Sequence, residues 1–113
     1  MSRDKGQRGE REVAALMRTH GFEAERGQQR SGSPDSPDVK HNIPGLYVEV
    51  KFCEQLSPRA ALAQASRDAT GGTSAPVVFH RRRRKPWIII MDANDFLRIM
   101  RRYENYRRFQ EDG

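Results

Sequence analysis

Cysteine is nearly absent from this chain: Cys53 stands alone among 113 residues. An intrachain disulfide is therefore impossible, which fits a reducing compartment and an expected cytoplasmic location. Histidine is scarce too, with three scattered copies, and together with a single cysteine this excludes a zinc finger. No apolar run approaches the ~20 residues of a membrane helix, and no signal-peptide core is present. Internal repeats are also missing. Hydrophobic residues make up only 35% against 32% charged, yet the apolar residues fall in short blocks, which disordered chains lack. A chain of this length supports one domain, 1–113, with one modest core; residues 1–4 and about 108–113 are expected to be flexible ends.

What is abundant is arginine. Lysine and arginine number 21 against 15 acidic residues, a net charge of +6, and 17 of the 21 are Arg. The planar guanidinium matches phosphate oxygens in a bidentate way, so the composition points first to nucleic acid.

Hydrophobic spacing predicts a helix over 5–20, with Val13, Ala14, Leu16 and Met17 as its apolar stripe and Gly21 as its stop. Glu10 falls on the stripe side, where a carboxylate is costly without a partner; Glu12 reads as an ordinary surface residue. A first strand is expected over 22–28. The stretch Arg30 to Pro37 is rich in Ser, Pro and Gly and reads as a loop. A second strand begins at Asp38, Asn42 to Gly45 form a turn, and Leu46 to Phe52 form a third strand. There Val48, Val50 and Phe52 share one face while Tyr47, Glu49 and Lys51 share the other. A turn centred between Ile43 and Pro44 places Asp38 opposite Glu49.

Ser57-Pro58 starts an Ala-rich helix that runs to about Thr70. Strands follow at Ala75–His80 and Trp87–Met91, with Arg81 to Lys85 as a hairpin tip. Asp92 or Asn94 caps a last helix, and the polar stretch from Arg101 to Gly113 is expected to fray. The order α-β-β-β-α-β-β-α describes an α/β domain, and the helix between the third and fourth strands makes those two parallel.

The pattern that carries chemistry is Pro37-Asp38, ten residues, then Glu49-Val50-Lys51. Two carboxylates hold Mg²⁺ through oxygen, with water and a phosphate filling the remaining positions. The backbone carbonyl of Val50 is a further ligand candidate. Lys51, on the face of Glu49, can orient water or steady a phosphate, and Glu10 can hold a water or a second ion. Taken singly, each feature has a plainer reading: Glu-x-Lys on a strand is usually a solvated face, and Asp after Pro is usually a turn residue. Their conjunction in a basic chain favours the site.

These residues resemble the PD-(D/E)xK nucleases, and among them the archaeal-type Holliday-junction resolvases and their phage relatives. The resemblance rests on Lys5-Gly6, Glu10-Arg11-Glu12 before an apolar helix, His20-Gly21-Phe22, and the Arg30-Ser-Gly-Ser loop. It continues through Pro37-Asp38, Val48-Glu49-Val50-Lys51, Ala75-Pro-Val-Val and Pro86-Trp-Ile-Ile, spanning roughly 5 to 95. It implies a restriction-endonuclease-like core with a mixed five-stranded sheet flanked by helices. It implies Asp38 and Glu49 as Mg²⁺ ligands (Mn²⁺ substituting), Lys51 as the catalytic lysine and Glu10 as the helix carboxylate. It also implies a homodimer that nicks opposing strands of a four-way DNA junction in recombination and repair, with no small-molecule cofactor, and a phage origin. Arg30, Ser31 and Ser33 map to a mobile basic loop, and Gln64 to a helix glutamine of related nucleases. Asp35 also follows a proline and competes with Asp38 for the metal.

Among the remaining cations, Lys5, Arg8 and Arg11 are candidate phosphate contacts or ordinary helix surface. Arg81, Arg82, Arg83, Arg84 and Lys85 either grip a DNA arm or form a solvated tip. Trp87 reads as core or dimer contact, and Cys53 as packing. The competing readings are a nuclease of the same fold acting on flaps or other DNA intermediates, a non-catalytic DNA-binding module, and a basic RNA-binding protein. The lack of an aromatic RNA-stacking motif disfavours the last.

Overall fold

In the computed structural model the described residues are 3–27, 37–69 and 74–112. Helix α1 spans Arg3–Thr19. It buries Val13, Ala14 and Met17 of the stripe expected from spacing, while Leu16 is only partly buried against the core. Gly21, at φ +90°, ends it. The Gly21 amide donates to the Arg18 carbonyl at 2.9 Å and the Phe22 amide to that of Met17 at 3.1 Å, satisfying carbonyls that the last turn leaves open.

Strand β1 (Ala24–Arg26) pairs antiparallel with β2 (Val39–His41). Strand β3 (Leu46–Phe52) lies parallel to β4 (Ala75–Arg81), and β4 pairs antiparallel with β5 (Ile88–Met91). The parallel pair is joined through α2 (Pro58–Asp68), as its position in the chain implied. Ser57 caps α2, its hydroxyl accepting from the Ala60 amide. Helix α3 (Ala93–Asp112) is capped by Asp92, whose Oδ1 accepts from the Asp95 amide at 3.1 Å.

The expected five-stranded mixed sheet is instead two sheets, of two and three strands. The cause is local. Between β2 and β3 one backbone bond forms, from the Asp38 amide to the Val48 carbonyl at 3.2 Å. The Val50 amide, which would make the next rung, donates to the Asp38 side chain at 2.7 Å. A carboxylate therefore replaces a ladder bond, and the two sheets meet without merging. The fraying expected from Arg101 onward is replaced by helix as far as Asp112. Arg107 bonds Glu104 and Glu111, and Arg108 bonds Glu104, at the i,i+3 and i,i+4 spacings that support an exposed helix.

Two apolar layers sandwich the three-stranded sheet. On one face Val13, Ala14 and Met17 of α1 pack with Val48, Val50, Val77 and Phe79. On the other, Ala61 and Ala65 of α2 pack on Val78, alanine allowing the helix close to the strand. No membrane-length apolar helix occurs among the described residues.

Gly27 controls how closely β1 approaches Asp38. Its amide donates to the Asp38 carbonyl at 2.8 Å, and a β-carbon there would run into the backbone carbonyl oxygen of Pro37. Gly27→Ala is expected to destabilise the fold by about 1–3 kcal/mol, the usual scale of overpacking. Urea denaturation checks this, and an unchanged midpoint would show that the neighbouring backbone yields freely.

Candidate active site

Three carboxylates, Glu10, Asp38 and Glu49, are 8%, 6% and 7% exposed and are the buried charged side chains among the described residues. Burying a carboxylate costs free energy unless hydrogen bonds or opposite charge compensate, so three together call for explanation.

Different elements deliver them. Glu10 comes from the buried stripe of α1, Asp38 from the entry to β2, and Glu49 from the middle of β3. Asp38 is held at its backbone by Gly27 and Val48 and at its side chain by Val50. It stands beside Glu49, as the turn argument anticipated, although the β2–β3 ladder is not the means. Alternation along β3 sends Val48 and Val50 to the α1 face and Glu49 to the other.

Burial, followed by a hydrogen bond with Asp38 and the Asp38 charge, pushes Glu49 up to about 9; Lys51 opposes this, and Asp68 of α2 adds to it. Glu10 is also raised, by burial first and Asp38 second, with Arg26 and Arg11 opposing. Asp38 is thus the common neighbour of both glutamates. Arg26 Nε lies 3.6 Å from Glu10 Oε2, yet that oxygen is buried with no hydrogen-bond partner.

Among the described residues no three His, Cys, Asp or Glu side chains converge as a ready cation cage. Mg²⁺ does not require one, since it keeps several waters and takes one or two carboxylates. The Asp38–Glu49 pair could hold such an ion, with Glu10 set apart from it beside Arg26. The Val50 carbonyl points to the same side of β3 as its N–H, because both groups of a strand residue face one way. It therefore faces Asp38, consistent with its expected place beside the ligands.

The cations divide. Lys51 and Arg11 act on the carboxylates. Lys5, Arg8 and Arg81 gather instead around the Phe52 ring, at 4.9, 5.5 and 4.6 Å from its centroid. Arg81 departs from its reading as a phosphate contact: its side chain is 20% exposed and ion-paired with Glu12 at 3.0 Å. Glu12, read as plain surface, also accepts from Trp87 Nε1 at 3.2 Å and bonds Arg8 at 3.0 Å. Trp87 packs against the core and meets Phe52 edge-on. Cys53 is half-buried, its carbonyl 3.0 Å from His80 Nε2. Gln64 is exposed, on the flank of the α2 face that Ala61 and Ala65 bury. Arg30, Ser31, Ser33 and Asp35 lie outside the described residues.

Arg26 and Asp68 were missed from sequence. Arg26 reaches Glu10 only because β1 pairs with β2 so that Arg26 faces Val39, next to Asp38. Asp68 acts on Glu49 from the last turn of α2. Neither has a motif that marks it.

No family model matches the chain, and no curated protein matches it. Among solved structures the chain is similar to Hjc, a Holliday junction resolvase from the hyperthermophilic archaeon Archaeoglobus fulgidus. The TM-score is 0.53 at 24% identity, covering 77% of this chain and 72% of that one. At this identity the likeness is one of fold alone: the chain shares the α/β fold of that structure.

The raised acids make stability depend on pH in a definite direction. Glu49 holds its proton to about 9 when folded, against 4.5 as its ordinary value. Between those values the unfolded chain has released a proton that the folded chain keeps. The stabilisation is complete below about 4.5 and is lost as pH rises towards about 9. Thermal melting in chelator is expected to show a falling midpoint across that window, with Glu49→Gln flattening the decline. A domain of this size shifts by ~4–8 °C per kcal/mol, so the drift is readable; a midpoint rising with pH in both proteins would refute the assignment.

Proposed function

We propose that the chain is a divalent-metal-dependent DNA endonuclease that resolves four-way junctions by paired nicks. The observation that carries this reading is the buried Asp38–Glu49 pair with Lys51 beside it and the orphaned Glu10 oxygen at its edge, on a resolvase-like fold. Asp38 and Glu49, with the Val50 carbonyl, would hold Mg²⁺, and Mn²⁺ would substitute. A bound cation would supply charge stabilisation at the scissile phosphate.

The chain's own residues account for the rest. Lys51 offers an ammonium charge for a phosphate oxygen. Glu10 Oε2, buried and open to a hydrogen bond, accepts from a water and keeps it on the carboxylate side of the phosphate. Hydrolysis then breaks the P–O bond to one nucleoside oxygen while water supplies the new oxygen on phosphorus, and its protons pass to the leaving oxygen and solvent. Arg11 and Lys5 provide phosphate contacts along α1.

Two nicks on opposing strands call for two sites, and a second copy of this chain supplies the other through two-fold symmetry. Helix α3 supports this. Phe96, Leu97, Met100, Tyr103, Tyr106 and Phe109 are exposed along it, and it buries no residue. Monomers rarely leave so many large apolar side chains uncovered. A 20-residue helix is ~30 Å long, long enough to run the length of a standard interface.

End-labelled four-way junction, flap and linear duplex, incubated with Mg²⁺, test the reading. Paired nicks confined to the junction are expected, with Asp38→Asn and Lys51→Ala each lowering the rate by at least ~10²-fold, the scale for removing one charge-stabilising group. Cutting of flap or duplex instead would keep the nuclease and discard the junction, whereas binding without cutting in Mg²⁺ or Mn²⁺ would leave a DNA-binding module. Sedimentation tests the partner: Phe96→Glu with Met100→Glu is expected to give monomers that no longer make paired nicks. Monomers in the unaltered protein at micromolar concentration would refute the dimer.

A further inference from the structure

The β4–β5 hairpin carries a second cluster of charge that the cutting centre does not use. Its tip is Arg82-Arg83-Arg84-Lys85, all exposed. Among the described residues none of the four forms an ion pair, although the Glu54 carboxylate is at hand. Glu54, in the loop after β3, directs its Oε2 to the backbone amide of Arg83 at 2.7 Å. The Lys85 amide donates to the Arg82 carbonyl at 3.1 Å, and Arg84 sits at φ +62°, a left-handed conformation uncommon for a residue other than glycine. The base is braced as well: Glu12 ties Arg81 and Trp87 together against Phe52. The tip is thus a rigid turn that displays four adjacent cations, whereas a merely solvated tip has no need of a side-chain clamp on its backbone. Four neighbouring charges repel, and a row of phosphates relieves that repulsion by releasing counterions.

Register fixes the distance. Arg81 pairs with Phe52, three residues beyond Glu49 on β3. At ~3.3 Å per strand residue the tip begins ~10 Å or more from Glu49, which is about three nucleotides of duplex at ~3.4 Å each. Lys5 and Arg8, over the Phe52 ring, lie at the same end of β3 as the tip.

We propose that Arg82, Arg83, Arg84 and Lys85 form a phosphate clamp for a duplex DNA arm, engaging the backbone three or more nucleotides from the cut, with Glu54 as its positioning residue. This rests on the nuclease reading but adds a site that governs affinity and not chemistry. Phosphate contacts of this kind set position on the duplex without reading bases.

Anisotropy binding in EDTA, with a labelled four-way junction, a plain duplex and single-stranded RNA from 50 to 200 mM salt, tests it. The variant changes all four tip residues to Gln. Each lost phosphate contact is expected to make the log–log salt slope shallower by ~0.9, so the variant should lose about two to four in slope and bind both DNAs at least ~10-fold more weakly at low salt. Its single-turnover cleavage rate at saturating enzyme should stay within about threefold of the parent, since the tip touches no reacting atom. Glu54→Ala keeps every cation and removes one negative charge, so electrostatics alone would tighten binding; the clamp predicts weaker binding, with Glu54→Gln weakening it less. Circular dichroism checks folding, and Arg83→Gln and Arg84→Gln singly serve if the fourfold variant fails to fold. Unchanged slope and affinity in a variant of a protein that binds and cuts would overturn the clamp alone. A parent that neither binds nor cuts any DNA would overturn the nuclease reading and the clamp with it, and tip-dependent binding tighter to RNA than to duplex would overturn the choice of partner.

Discussion

The bond from the Val50 amide to Asp38 Oδ2, 2.7 Å long and buried, organises this molecule. An amide in the middle of β3 would ordinarily seek a carbonyl on a neighbouring strand. By accepting it, the carboxylate takes the amide that a further rung beyond β2 would use, at the place where the two sheets meet. The same bond holds Asp38 at the flank of Glu49 while its backbone is pinned by Gly27 and Val48. The break in the sheet is therefore where the acids sit: a carboxylate side chain occupies the place of a backbone acceptor.

Around that bond the molecule separates its charges. The surface carries a surplus of arginine, yet the buried charged groups among the described residues are all carboxylates. Arg26 and Lys51 moderate them from the border without neutralising them. Burial first and the neighbouring Asp38 second raise Glu10 and Glu49, which is the condition under which an acid beside another gains from a cation. At the far end of β3 the arrangement is inverted. There three cations surround the Phe52 ring with Glu12 as the acceptor for Arg8, Arg81 and Trp87, so that aromatic faces and one carboxylate stabilise positive charge.

The third helix shows a different balance. Its ion pairs keep it helical in isolation from the core, while its apolar residues remain uncovered. Helices ordinarily draw most of their stability from packing, whereas α3 buries none of its residues.

Much of this was legible in the residues. Helical spacing located α1 and its buried stripe, Ser57-Pro58 located the start of α2, and alternation along Leu46–Phe52 separated Val48, Val50 and Phe52 from Glu49 and Lys51. The position of Glu10 among apolar residues marked it as buried, and the Asn42–Gly45 turn anticipated Asp38 near Glu49, although the Asp38 amide meets Val48 and the expected direct pairing does not form. Those features depend on local periodicity and turn chemistry, which one sequence contains. Pairing between distant segments does not leave such a trace. The register of β1 on β2 that carries Arg26 to Glu10, the approach of Asp68, and the clustering of Glu12 with Arg81 and Trp87 across 75 residues of chain depend on how elements dock. The replacement of a ladder bond by the Asp38 carboxylate depends on it too, because a side chain competes with a backbone carbonyl only where tertiary packing brings both within reach of one amide.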